Sequence, residues 1–184
     1  MTVTPTDLPE VLLVETPVHR DERGYFEELY RAESILDPGA AIEFVQDNHS
    51  RSHRNVLRGL HFQEPDAQGK MVWVISGSVQ DVVVDVRTGS PNFGNWISAE
   101  LREGDGRCLW IPEGFAHGIL ALEDSTDLLY KVTNYWSPVS ERTIRWDDPG
   151  LAIDWRSDSP VLNEKDANAP LLREARHLPK FKGN

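Results

Sequence analysis

The sequence predicts an all-β domain, a sandwich or barrel of many short strands. β-Branched and aromatic residues gather in short runs, and Gly, Pro, Asn and Asp punctuate those runs at regular spacing. Helical periodicity is weak throughout.

In chain order, strands are expected at 11–16, 24–30 and 43–48, with a turn or two of helix over 31–37 and a turn cluster at Asp37-Pro-Gly39. The segments 70–76 and 79–86 read as the arms of a hairpin around Gly77-Ser78, since both are β-branched and turn residues bound them. Further strands are expected at 94–101, 107–111, 117–123 and 127–134, with Glu103-Gly-Asp-Gly106 as a turn. A short helix fits within 163–176, and residues 177–184 read as a loose tail. The 184 residues suit one domain with a sizeable core, 1–184, without internal repeats or a long linker.

Composition excludes some functions. A net charge of −11 repels phosphate backbones, so nucleic acid is not the expected partner, and a phosphate-bearing ligand needs a local basic pocket. No apolar run is long enough to span a bilayer and no signal-peptide pattern opens the chain, so no membrane association and a cytoplasmic location are expected. The lone Cys108 rules out an intramolecular disulfide and reads as a small buried apolar residue.

The chemistry gathers around His61 in Arg58-Gly-Leu-His-Phe-Gln63, Lys70, and His117 in Ile111-Pro-Glu-Gly-Phe-Ala-His-Gly118. A single histidine beside apolar residues is commonly structural. Here Arg58, Gln63, Lys70 and His117 fall on segments that one barrel mouth could gather. A divalent metal wants neutral imidazoles and anionic oxygens. Gln63 and the cationic Lys70 do not supply them, so no metal is expected. A buried arginine and lysine are costly unless they face an anion or a carboxylate, which suits a phosphorylated or enolate-forming ligand.

Gly106, Pro112-Glu-Gly114 and His117 resemble the second conserved motif of the cupin superfamily, and His61, Gln63, Lys70 and Gly77 an altered first motif. The resemblance implies a cupin-type double-stranded β-helix (jelly-roll) barrel with short peripheral helices. From about Val11 to Leu172 the chain resembles one cupin family, the dTDP-4-dehydrorhamnose 3,5-epimerases. The landmarks include Asp21-Glu-Arg-Gly-Tyr-Phe-Glu-Glu28, Gln46-Asp-Asn-His-Ser50, Val56-Leu-Arg-Gly-Leu-His-Phe-Gln63, Gln68-Gly-Lys70, Tyr130-Lys131, Trp146-Asp-Asp-Pro149 and Glu164-Lys-Asp166.

That resemblance implies cofactor-independent isomerisation of a dTDP-4-keto-6-deoxy sugar. The C4 ketone acidifies the protons on C3 and C5, and removing either gives an enolate. By resemblance His61 is the general base, Asp166 its partner, Lys70 the enolate stabiliser and Tyr130 the proton donor on the opposite ring face. Read locally, Tyr130 would be a packing residue and Asp166 a solvated one. Arg23, Arg58 and Lys165 match positions near the phosphates or sugar. Glu28, Gln46, Asp47 and Asn48 match the thymidine and sugar pocket, and Gln63, His117 and Glu141 match ligand-contacting positions. Trp136 matches a base-stacking aromatic, commonly a tyrosine, whose ordinary reading is a core or interface residue. The strand carrying Arg23, Phe26 and Glu28 joins the partner's sheet in the family, implying a homodimer with strand exchange. Alternatives are an epimerase of C3 or C5 alone, a 3,4-ketoisomerase, a metal-dependent cupin enzyme, and a non-catalytic sugar-nucleotide-binding cupin.

Overall fold

Runs such as 70–76 and 79–86 lack the polar–apolar alternation of a strand with one wet face, which means that both faces must be covered. The computed structural model describes residues 1–32 and 42–183 and shows how they are covered. The expected turn at 31–37 and the Asp37-Pro-Gly39 cluster fall largely or wholly outside the described residues.

Two antiparallel sheets face each other. One has six strands: β1 (Thr2–Pro5), β2 (Leu12–Glu15), β10 (Arg107–Ile111), β7 (Lys70–Ser76), β12 (Thr126–Val132) and β5 (Gln46–Ser52), in that order. The other has five, in the order β13 (Glu141–Thr143), β6 (Leu57–Gln63), β11 (Phe115–Ala121), β8 (Ser78–Asp85) and β9 (Trp96–Arg102). A separate ribbon pairs β3 (Val18–Asp21) with β4 (Gly24–Glu27). The result is an all-β, cupin-type jelly-roll barrel. Among the described residues, no helix is long and apolar enough to cross a membrane.

Alternation along each strand assigns side chains to three layers. Val72, Val74, Leu109 and Leu128 meet Val79, Val83, Phe115 and Ile119 between the sheets. Val82, Val84 and Leu120 face the other way, beneath Ile144, Leu151, Trp155 and Leu172 of the carboxyl-terminal segment. Met71, Trp73, Cys108 and Trp110 form the outer layer of the six-stranded sheet, against Tyr30 and Phe44. Each fully buried aliphatic or aromatic side chain contributes about 1.5–3 kcal/mol. Cys108 behaves as expected of a buried apolar residue: burial pushes its thiol up to about 12.

The hairpin expected from 70–76 and 79–86 is corrected. β7 pairs with β10 and β12, whereas β8 pairs with β11 and β9. Only Gly77 separates them, one residue too few to reverse the chain. Its φ of 77° instead turns the chain from one sheet into the other, and a Cβ there would lie 2.5 Å from Thr126 Oγ1. The tail also departs from expectation. Phe181 N–H donates to Thr88 O at 3.0 Å, Thr88 N–H donates to Pro179 O at 2.8 Å, and the Phe181 ring lies 5.0 Å from the Arg87 guanidinium. Backbone pairing and this cation–π contact hold the end of the chain to the barrel. β1, β3, β6 and β13 add to the strands expected above, and the expected helix is a single turn, α1 (Glu164–Ala167), followed by a 3₁₀ turn at Leu172–Glu174.

Candidate active site

Strand direction selects which side chains reach the barrel interior. On β7, Lys70 shares the inward face with Val72 and Val74; on β12, Tyr130 follows Leu128 inward. On β6 the register against β11 is irregular, passing from His61↔His117 to Arg58↔Ile119. That irregularity lets Leu57, Leu60 and Phe62 all join the outer layer while His61 lines the cavity. Gly59 makes it possible: its φ is 135°, and a Cβ would sit 2.5 Å from Gly118 Cα.

The resulting cavity has two lobes of about 390 and 290 Å³, which share His61, Lys70, Tyr130, Trp136 and Glu141. Gln46, Asn48 and Gln63 line the larger lobe, and Arg58, His117 and Lys165 the smaller. Asp166 lies behind His61 at zero exposure, with Oδ1 2.7 Å from His61 Nε2. A carboxylate only accepts, so Nε2 carries the imidazole proton and Nδ1 is left as the basic nitrogen. Asp166 Oδ2 also accepts from Gly59 N–H at 3.2 Å, and Asn163 Oδ1 caps α1 by accepting from Asp166 N–H.

Electrostatics separate the roles these groups can play. Burial draws the His61 pKa below the ordinary imidazole value, against the opposing pull of Asp166, which favours a neutral ring. Burial raises the Asp166 carboxyl, but the His61 and Gly59 donors and the charge of Lys165 outweigh it, leaving a net lowering. Burial brings Lys70 down to about 8, opposed by Asp81 and Glu141. Burial also raises Tyr130, so its phenol holds its proton at neutral pH. One cavity therefore presents a neutral base, a cation that is easily deprotonated and a protonated phenol. Such a set can remove a carbon-bound proton, hold the resulting oxyanion and return a proton.

Not every candidate residue reaches the cavity. Arg23 is exposed and paired with Asp21, and Phe26 is 67% exposed on the β3–β4 ribbon. Glu28 pairs with Arg31, and none of Arg23, Phe26 and Glu28 lines either lobe of its own chain. Asp47 lies on the outward face of β5, bonded to Lys131 Nζ at 2.6 Å, because alternation sends its neighbours Gln46 and Asn48 inward. Arg58, expected to be buried, is exposed; of that pair only Lys70 is buried. Gln63 lines the cavity, but both ends of its amide are bonded to backbone groups. Glu141 bonds Lys165 at 3.0 Å. Among the described residues, no group of three or more His, Cys, Asp or Glu side chains comes together to hold a metal.

Residue reading also missed members of the site. Asp81 is fully buried, and its carboxylate receives His117 Nε2–H at 2.9 Å. Its signal was available: a carboxylate interrupting the valine-rich run 79–86 can only be buried with a partner. Asn163 could have been found as a helix cap three residues before Asp166. Gln68 also lines the larger lobe, with nothing local to distinguish it from a surface glutamine.

Residues 5–174 match the family model described as dTDP-4-dehydrorhamnose 3,5-epimerase. The enzyme of that name from Salmonella typhimurium (strain LT2) is 50% identical over 178 residues, which span 95% of this chain and 97% of the relative. The solved dTDP-6-deoxy-D-glucose-3,5-epimerase from Legionella pneumophila, in complex with dTDP-4-keto-L-rhamnose, superposes with a TM-score of 0.93 at 43% identity, covering 99% of each chain. A 3'-monoepimerase from Streptomyces bikiniensis, in complex with dTDP-quinovose, is also similar, with a TM-score of 0.87 at 34% identity, covering 92% of this chain and 87% of that one.

Proposed function

This chain belongs to the dTDP-4-dehydrorhamnose 3,5-epimerase family, and from that premise we propose that it converts dTDP-4-dehydro-6-deoxy-D-glucose to dTDP-4-dehydro-β-L-rhamnose, a step toward dTDP-L-rhamnose. The observation that carries the reading is the His61–Asp166 pair on the same cavity as Lys70 and Tyr130.

His61 Nδ1 takes the proton from C3 or C5, and the electron pair moves onto the C4 oxygen. Asp166 balances the imidazolium through the Nε2–H bond. The Lys70 ammonium faces the enolate oxygen, in a setting where burial strengthens its field. Tyr130 O–H returns a proton from the opposite face, inverting the carbon. Every one of these groups is a side chain, so the reaction as proposed needs neither metal nor cofactor. Arg58 and Lys165 on the smaller lobe suit the diphosphate, Arg58 through its forked donors. Gln46, Asn48, His117 and Glu141 meet the sugar or base edges, and Trp136 stacks on thymine.

Arg23, Phe26 and Glu28 fail to reach their own cavity, which supports a homodimer in which the ribbon serves the partner's site. The proposal treats 1–184 as one domain working in the reducing cytoplasm, which a lone buried thiol suits.

The test is turnover of dTDP-4-dehydro-6-deoxyglucose in deuterated water with NMR analysis of the product. Label at both C3 and C5 is expected. Label at one carbon alone would favour the second reading, a monoepimerase, which the similarity to the Streptomyces bikiniensis protein keeps in play. No label at either carbon would refute both readings.

A further inference from the structure

Trp136 is 56% exposed and lines both lobes, yet its segment lies between β12 and β13 and belongs to neither strand. A loop at the wall of a cavity needs partners for its backbone groups. Here side-chain amides provide them. Gln68 Nε2 donates to Asn134 O at 2.7 Å, and Gln63 Nε2 donates to Tyr135 O at 3.2 Å. Gln46 Oε1 accepts from Trp136 N–H at 3.1 Å, and Gln63 Oε1 accepts from Ser137 N–H at 2.8 Å. Four consecutive residues, 134 to 137, thus each give one backbone group to a glutamine.

The remaining amide bonds anchor the clamp. Gln63 Nε2 also donates to Asp66 O at 2.7 Å, and Gln46 Nε2 to Asn48 Oδ1 at 2.7 Å. Only this orientation of each amide matches donors with acceptors. Gln63 is 4% exposed, and both its N–H and C=O ends face loop backbone instead of the cavity, so it is poorly placed to bind a sugar hydroxyl.

We propose that Gln46, Gln63 and Gln68 are positioning residues: an amide clamp that holds Trp136 as a fixed wall, so that the thymine stacked on it stays in place and keeps the attached sugar ring bound through two proton transfers. The kinetic part rests on the epimerase reading. With the wall loose, the ring leaves after one exchange, and the number of carbons inverted per binding event falls. The clamp itself is a statement about Trp136 and stands apart from substrate.

Two variants and two readouts test it. Gln63→Glu keeps an acceptor for Ser137 N–H but sets a carboxylate oxygen against the carbonyls of Asp66 and Tyr135. Gln68→Met deletes only the Asn134 bond and serves if the first variant does not fold. Acrylamide quenching of the Trp136 emission, isolated by difference against Trp136→Phe, should rise in either variant. In single-turnover labelling, the doubly labelled product should fall by up to about 100-fold, the scale of an ångström-size misplacement, while label at the first carbon to exchange falls much less. Unchanged quenching in a folded variant overturns the clamp, whatever the wild type does to substrate. Changed quenching with equal loss of label at both carbons overturns the proposed control of the second transfer. A wild type that labels neither carbon refutes the epimerase reading and this kinetic role, leaving the quenching result to decide the clamp.

Discussion

Replacing Lys70 by methionine should make the protein more stable and far less active. Lys70 is 8% exposed and burial brings its pKa from 10.5 to about 8. At about 1.4 kcal/mol per pKa unit, the folded state bears about 3 kcal/mol against the charged form. The unfolded chain keeps the proton up to about 10.5, so this cost is full below pH 8 and disappears as pH rises through the interval between the two values. Methionine matches the aliphatic stem and removes the charge, but it also removes the bond from Lys70 Nζ to His61 O at 3.1 Å. That loss takes back about 1 kcal/mol. The net gain of about 2 kcal/mol corresponds to a rise in Tm of roughly 4–8 °C at this chain length. Activity should fall by about 10²–10³, the usual cost of removing one donor to an oxyanion. The wild-type pH–rate profile should rise with pH as His61 loses its proton, below the ordinary imidazole range, and fall as Lys70 loses its own near pH 8. Thermal melts at pH 7 and kcat/KM across pH 5 to 10 provide the measurements. A variant that melts no higher than wild type, keeps near-normal kcat/KM and retains the fall near pH 8 would refute the reasoning.

Asp166→Asn should cost about 10³–10⁴ in kcat, because a carboxamide can donate to Nε2 and drive the His61 proton onto Nδ1. The residual activity should have its acidic limb at lower pH, since Asp166 is what raises the His61 pKa; an unmoved limb with near-normal kcat would count against the pairing. Tyr130→Phe should slow inversion by about 10²–10⁴ while solvent exchange with retention persists through His61, so NMR showing unimpaired inversion would remove the phenol from the mechanism. Phe181→Ala should lower stability by about 0.5–2 kcal/mol through loss of its contact with Arg87, and an unchanged urea midpoint would mean that the tail does no holding.

Much of the barrel was legible along the chain because burial on both faces leaves uninterrupted β-branched runs, and β8 is buried at every position. Edge strands such as β1 and β13 are short and partly or fully exposed, so they carry no such signal. The connection at Gly77 was misread because a turn glycine between two strands has one local signature whether the chain reverses or changes sheet. His61, Lys70, Tyr130 and Asp166 could be named only through family motifs, since each alone has an ordinary structural reading. Gln63 shows the opposite failure: its position resembles a ligand site, yet its amide holds a loop some seventy positions further on, a distance no local pattern encodes.

The sequence by itself determined the all-β class, the family and the residue types available for proton transfer. Those follow from local periodicity and ordered motifs, which do not depend on knowing which strands pair. Only the tertiary structure decided that Asp166, the partner of His61 that the motifs implied, is fully buried, that Asp81 stands behind His117 and that Asp47 faces outward while its two neighbours face in. The physical reason is that burial and hydrogen bonding are made between segments far apart in the chain, and these set which nitrogen carries a proton and which charge has a partner.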